Sequence, residues 1–181
     1  GTDTVYASVD YSLIYQDNVE NLTLTGLLNS NATGNALDNI LTGNSGSNSF
    51  YGYSGNDTAY GGLGDDKYSD IENIIELANQ GIDTVYSDKT YYQLPDNTEV
   101  LIVYSTTYSW YGTHSYLGNA SDNTLDVNSA NGLVRIDGGQ GADVMIYRTN
   151  NNVTFVVDNI GDTVSLGYAL SSEVETSLSS Y

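Results

Sequence analysis

The sequence predicts an all-β fold, a right-handed parallel β-roll or β-solenoid built from two tandem modules. Three observations predict it. A nine-residue unit repeats with glycine first, an acid or amide sixth and an apolar residue eighth. A longer block recurs about 80 residues on. The composition favours turns over helices, with 19 Gly, 20 Asn, 17 Tyr, one Pro and no Cys in 181 residues. Duplicated units that stack end to end mark a solenoid rather than a closed core.

The long recurrence comes first along the chain. Gly1, Asp3, Thr4, Val5, Tyr6 and Tyr11 return as Gly81, Asp83, Thr84, Val85, Tyr86 and Tyr91, and Glu20 returns at Glu99, one residue out of step. GNALDNILTG at Gly34 to Gly43 matches GNASDNTLDV at Gly118 to Val127. The modules are therefore placed at 1–80 and 81–181, with the glycine turns at about 34–69 in the first and about 118–146 in the second.

Within the first module four nonapeptides run in register, GNALDNILT, GNSGSNSFY, GYSGNDTAY and GGLGDDKYS. Their sixth residues are Asn39, Asn48, Asp57 and Asp66, and their eighth are Leu41, Phe50, Ala59 and Tyr68. The second module repeats the frame at Gly118, with Asn123 sixth, and at Gly138, with Asp143 sixth. Glycines at positions one, two and four permit left-handed or crowded backbone, so the first six residues form a tight turn. The last three form a short strand whose middle residue points inward. Two nonapeptides complete one coil. Asn39 should then stack with Asp57 on one edge, and Asn48 with Asp66 on the other, about 4.8 Å apart.

The formal net charge is −19, from 23 acidic and 4 basic residues, which disfavours nucleic-acid phosphate and anionic membrane surfaces as partners. Leu, Ile, Val and Phe together number 43, enough for a packed core despite that charge. Without Cys there is no disulfide, thiolate zinc site or cysteine nucleophile. No apolar run approaches the ~20 residues needed to span a bilayer. Such a charge leaves cations and neutral molecules as partners.

These nonapeptides resemble the RTX, or haemolysin-type, calcium-binding repeats of large secreted bacterial proteins, most closely over Gly34 to Ser69. The flanking GxDTVxS and VENLTLTG segments look like the linking modules of such proteins. The resemblance implies calcium as cofactor and an extracellular or cell-surface location. It places the ion between stacked turns, held by sixth-position side chains and by the carbonyls of Gly62 and Gly64 on one edge, and of Tyr53 and Gly55 on the other. In the second module the corresponding residues are Asn123, Gly139, Gly141 and Asp143. Asn39 and Asn48 replace the family's aspartates, and Asn44 and Tyr53 replace glycines. An amide supplies no charge to offset desolvation of the ion, so one or two sites of about 10⁻⁴ to 10⁻³ M are expected. Asx residues in such turns also stack as amide ladders without metal.

Between the two runs of repeats lies YSTTYSWYGTHSYL, which crowds Tyr104, Tyr108, Trp110, Tyr111, His114 and Tyr116 together. Exposed, they would offer a surface for sugar rings or for another subunit. In alternating strands they would instead form an aromatic ladder on the sheet. His114 is the only histidine and no nucleophile-elbow, zinc or phosphate-loop motif occurs, so no enzymatic activity is expected. Residues 149–166 alternate as a strand, and the tail from Ala169 fits a mobile end, a link to a further module or an export signal. Solenoid edges pair with further copies unless capped. The sequence thus suggests a calcium-binding structural module of a surface layer, filament or adhesin stalk. The alternative is a carbohydrate-binding accessory module of a secreted polysaccharide-acting protein.

Overall fold

The structure, a computed structural model, describes residues 1–104, 113–128, 133–148, 153–157 and 161–166, and the backbone of 175–178. The described residues contain strands, turns and bends and no helix. Every strand pairing with a defined register is parallel, and sequential strands alternate between two sheets. This is the parallel β-solenoid that the repeat period predicts. The chain divides into two compact units, Gly1–Val85 and Tyr86–Tyr181.

In the first unit β1 (Thr4–Ala7), β3 (Asn21–Leu24), β5 (Ile40–Thr42), β7 (Thr58–Tyr60) and β9 (Asn73–Ile75) lie side by side in that order. The second sheet contains β2 (Tyr11–Ser12), β4 (Asn31–Thr33), β6 (Ser49–Tyr51) and β8 (Lys67–Ser69). The nonapeptide strands are three residues long and bury only their middle residue. Register stacks those residues into two lines, Leu22, Leu41, Ala59 and Ile74 from one sheet and Ala32, Phe50 and Tyr68 from the other. Phe50 and Tyr68 stack face to face with centroids 5.2 Å apart and planes 5° from parallel. One apolar side chain per strand makes a thin core. The larger of these contribute roughly 1.5–3 kcal/mol each on burial and the alanines less, so the turns must hold much of the coil in place.

The second unit begins within β10 (Thr84–Ser87), which leads the order β10, β12 (Val100–Val103), β14 (Thr124–Val127), β16 (Val144–Tyr147) and β18 (Thr163–Leu166). Its other sheet is β11 (Tyr91–Gln93), β13 (Thr113–Leu117), β15 (Leu133–Asp137), β17 (Val153–Val157) and β19 (Glu175–Leu178). Here β12 to β17, of four or five residues, bury two side chains each, such as Leu125 and Val127 or Val134 and Ile136. The extra inward residue per strand gives a broader core than the nonapeptides allow. No helix among the described residues is long and apolar enough to cross a membrane.

Candidate metal centres

Two kinds of turn occupy the edges of the coils, and the sixth residue distinguishes them. The turns that open at Gly34, Gly43 and Gly118 carry Asn at both the second and sixth positions. In each, the sixth Asn Oδ1 accepts the N–H of the second residue, from Asn35 to Asn39 at 2.7 Å, Asn44 to Asn48 at 2.9 Å and Asn119 to Asn123 at 2.7 Å. The second Asn reaches back one coil. Asn35 Nδ2 donates to the carbonyls of Gln16 and Val19, Asn44 Nδ2 to Thr25 and Leu28, and Asn119 Nδ2 to Pro95 and Thr98. Asn39, Asn48 and Asn123 also donate backward through Nδ2, to Glu20, Ser30 and Thr98 carbonyls among others. Amide donors and acceptors thereby satisfy backbone that the tight turn would leave unpaired.

The turns that open at Gly52, Gly61 and Gly138 end in Asp57, Asp66 and Asp143, and their backbone differs. Tyr53, Gly55, Gly62, Gly64, Gly139 and Gly141, the second and fourth residues, all have positive φ between 78° and 124°. Glycine adopts this region freely, whereas Tyr53 at φ 78° is a strained exception. The first glycines do not share the positive φ. They are required for close approach, since a Cβ on Gly52, Gly61 or Gly138 would overlap Oδ2 of the aspartate in its own turn.

Each of these aspartates receives the backbone N–H of the sixth residue one coil earlier, Asn39 to Asp57, Asn48 to Asp66 and Asn123 to Asp143, each at 2.7–2.8 Å. The stacking of Asn39 with Asp57 and of Asn48 with Asp66 therefore exists as a hydrogen-bonded ladder. All three carboxylates are fully buried. Oδ2 of Asp57 and of Asp66 has no hydrogen-bond partner, an expensive state for a buried anion.

Further acids face these carboxylates from one coil later. Asp57 N–H donates to Glu72 Oε2 at 3.1 Å, Asp66 N–H to Asp83 Oδ1 at 2.8 Å, and Asp143 N–H to Asp162 Oδ1 at 3.1 Å. Burial, with Glu72, Asp38 and Asp70 nearby, pushes the Asp57 carboxyl up to about 6, against a lowering hydrogen bond from Asn39. Burial and the charges of Asp83 and Asp65 push Asp66 up to about 7. Glu76, which accepts hydrogen bonds from the Tyr68 hydroxyl and the Gly62 N–H, is also raised to about 7, chiefly by desolvation. Burial raises the Tyr68 hydroxyl strongly as well. In each case burial disfavours a negative charge that a cation would offset.

The donor set suits calcium. Partnerless carboxylate oxygens, facing carboxylates and left-handed turns match a hard ion that takes oxygen ligands. The chain has no Cys to supply a thiolate to these turns. Bound there, the ion would supply the positive charge that the buried carboxylates lack.

The structure brings Asn39 and Asp57 together, Asn48 and Asp66 together, and Asn123 and Asp143 together. Sequence reasoning missed Glu72, Glu76, Asp83 and Asp162. Their signal was an acid about one coil beyond each sixth-position aspartate, but the spacing varies with the loop. Of the aromatic group, His114 and Tyr116 face inward, 3% and 1% exposed, with Tyr116 Oη 3.4 Å from His114 Nδ1. Tyr104 is half-buried. Tyr108, Trp110 and Tyr111 lie outside the described residues.

Comparison with known proteins supplies one match. The family model for the RTX calcium-binding nonapeptide repeat fits residues 33–68 in four copies. No curated protein and no solved structure matches the chain. The four copies coincide with the turns ending in Asn39, Asn48, Asp57 and Asp66, in which the structure finds both the amide ladder and the partnerless carboxylates. Residues 33–68 are RTX calcium-binding repeats folded as a parallel β-solenoid, and the cofactor they imply is calcium.

Proposed function

We propose that this chain is an extracellular, calcium-dependent structural module of a secreted bacterial protein, supporting a surface layer, filament or adhesin stalk and having no catalysis of its own. Calcium is held by Asp57, Asp66 and Asp143 with backbone carbonyls of the left-handed turns at Tyr53, Gly55, Gly62, Gly64, Gly139 and Gly141. Asn39, Asn48 and Asn123 serve the same edges as metal-free clasps. The observation that carries this reading is the pair of fully buried carboxylate oxygens, on Asp57 and Asp66, that no donor meets. An unpaired buried anion opposes folding, so a cation that binds only the folded chain drives compaction by mass action. Parallel strands left open at a sheet edge can continue the ladder into another copy, which supports assembly.

Sedimentation velocity of the chain in chelator and in about 5 mM calcium, above the range for extracellular modules, tests both parts. A lower frictional ratio in calcium supports coupled folding, and larger species that form only in calcium support assembly. An unchanged profile removes the calcium-dependent reading. Carbohydrate binding through Tyr104 to Tyr116 has less support, because the inward-facing His114 and Tyr116 offer no face to a sugar ring.

A further inference from the structure

One group of acids stands apart from the regular turns. The carboxylates of Asp66, Glu76 and Asp83 have ligand atoms within 4.8 Å of one another, and all three residues are buried. Glu76 and Asp83 lie beyond the residues that match the repeat. Three carboxylates so close together in a dry site cannot all stay ionised without a cation. Asp66 is 0% exposed, and its partnerless Oδ2 sits beside Glu76 Oε1 around the space over Gly61.

The local chemistry explains why this oxygen is spare. In the asparagine turns the second residue's N–H is taken by the sixth residue of the same turn. In the Gly61 turn the Gly62 N–H goes to Glu76, which also accepts the Tyr68 hydroxyl. Glu76 thus enters the coil just after β9 and takes over the internal hydrogen bonds. Gly61 has no side chain where these groups meet, and a Cβ there would overlap Tyr68 Oη, Glu76 Oε1 and Asp66 Oδ2. By contrast, Asp57 faces an exposed glutamate, Glu72, so its site is more open to water.

We infer that Asp66, Glu76 and Asp83 form a calcium site of a second kind, tighter than the sites the repeats make alone, whose ion ties residues 70–83 to the last repeat. The inference rests on the calcium reading above. It follows from charge count and rigidity, the two quantities that tune calcium affinity in oxygen sites. Here three buried carboxylates come from three different segments, two of them outside the repeat. Binding in this centre therefore closes a loop, in addition to stacking turns.

Calorimetric titration of calcium into the full chain, with hydrogen exchange of residues 70–83, tests it. The unsubstituted chain should show one ion bound about 10-fold more tightly than the rest, and residues 70–83 should gain protection as that ion binds. Glu76→Gln should lose the tight phase and that protection while keeping the weaker phase. Asp57→Asn should keep the tight phase and lose weaker binding. A tight phase retained in Glu76→Gln, or removed by Asp57→Asn, overturns the inference and leaves the general calcium reading standing. Failure of the unsubstituted chain to bind calcium overturns both. Should Glu76→Gln lack β-sheet circular dichroism in saturating calcium, Asp83→Asn, whose amide oxygen can still accept the Asp66 N–H, is judged by the same criteria.

Discussion

The turns ending in asparagine and the turns ending in aspartate are built on the same nine-residue frame and stack directly on one another, yet they solve the same electrostatic problem in opposite ways. The asparagine turns satisfy their backbone with neutral amides, Asn35 with Asn39, Asn44 with Asn48 and Asn119 with Asn123. The aspartate turns open the backbone at left-handed second and fourth residues, and in two of them bury a carboxylate oxygen, Asp57 Oδ2 and Asp66 Oδ2, that no donor meets. On the proposed reading, the change from side-chain amide to carboxylate decides whether a turn is complete by itself or completed by a cation. The lesson is that a chain of repeats can combine amide-satisfied turns with turns that bury unpaired carboxylate oxygens without changing its fold.

The largest expected effect comes from removing the ion-dependent clasps together. A mass-action gain at about 5 mM calcium, for sites of about 10⁻⁴ to 10⁻³ M, is about 1–2 kcal/mol per site. Asp57→Asn with Asp66→Asn should therefore abolish most of the calcium-induced rise in thermal midpoint of the first unit, while its midpoint in chelator stays level or rises. A double variant that keeps the full calcium response would break the comparison.

A smaller loss should follow from Asn48→Ala, which strips the Asn44 N–H of its partner and removes one of two hydrogen bonds to the Ser30 carbonyl. It should cost about 1–3 kcal/mol in denaturant titrations, equally in chelator and in calcium. A loss seen only in calcium would instead make Asn48 a metal ligand. Gly64→Ala, at φ 110° and against the backbone of Gly46, should cost about 1–3 kcal/mol through strain. Gly46→Ala, at an ordinary φ but also pressed against the neighbouring coil, separates strain from crowding.

Acidity sharpens the same contrast. Asp57 at about 6 and Asp66 and Glu76 at about 7 lie above the ~4 of unfolded carboxyls, so the folded chain binds more protons between those limits. In chelator, stability should thus be full below about pH 4 and fall as the pH rises through about 6 to 7. Calcium affinity should rise over the same window, because the ion displaces those protons. Denaturant midpoints at pH 5 and pH 7.5, with and without calcium, check the crossing. The smallest effect belongs to Arg148→Ala in the second unit. Its paired hydrogen bonds to Asp126 lie at the surface, at 2.6–2.7 Å, and removing them should shift stability by no more than ~1 kcal/mol in either condition.

Particular residues show how far the sequence could be read. The eighth positions Leu41, Phe50, Ala59 and Tyr68 are all inside, as their place in a three-residue strand requires. The glycines at positions two and four of the aspartate turns take positive φ. Glu72, Glu76, Asp83 and Asp162 were not legible, because they belong to the next coil and sit at intervals that depend on loop length. Nor was the inward position of His114 and Tyr116, since alternation gives two faces and does not say which one the core takes.

By itself, the sequence determined the period, and with it the parallel solenoid, the short strands and the inward apolar line, while calcium as the ion came from the resemblance of the period to RTX repeats. The solenoid, strands and apolar line follow from local rules: where glycine permits a turn and where side chains alternate. Only the tertiary structure decided which carboxylates meet. Burial, register and the next coil's acids set the charge balance of each turn, and those are properties of residues far apart in the chain that folding brings within a few ångströms.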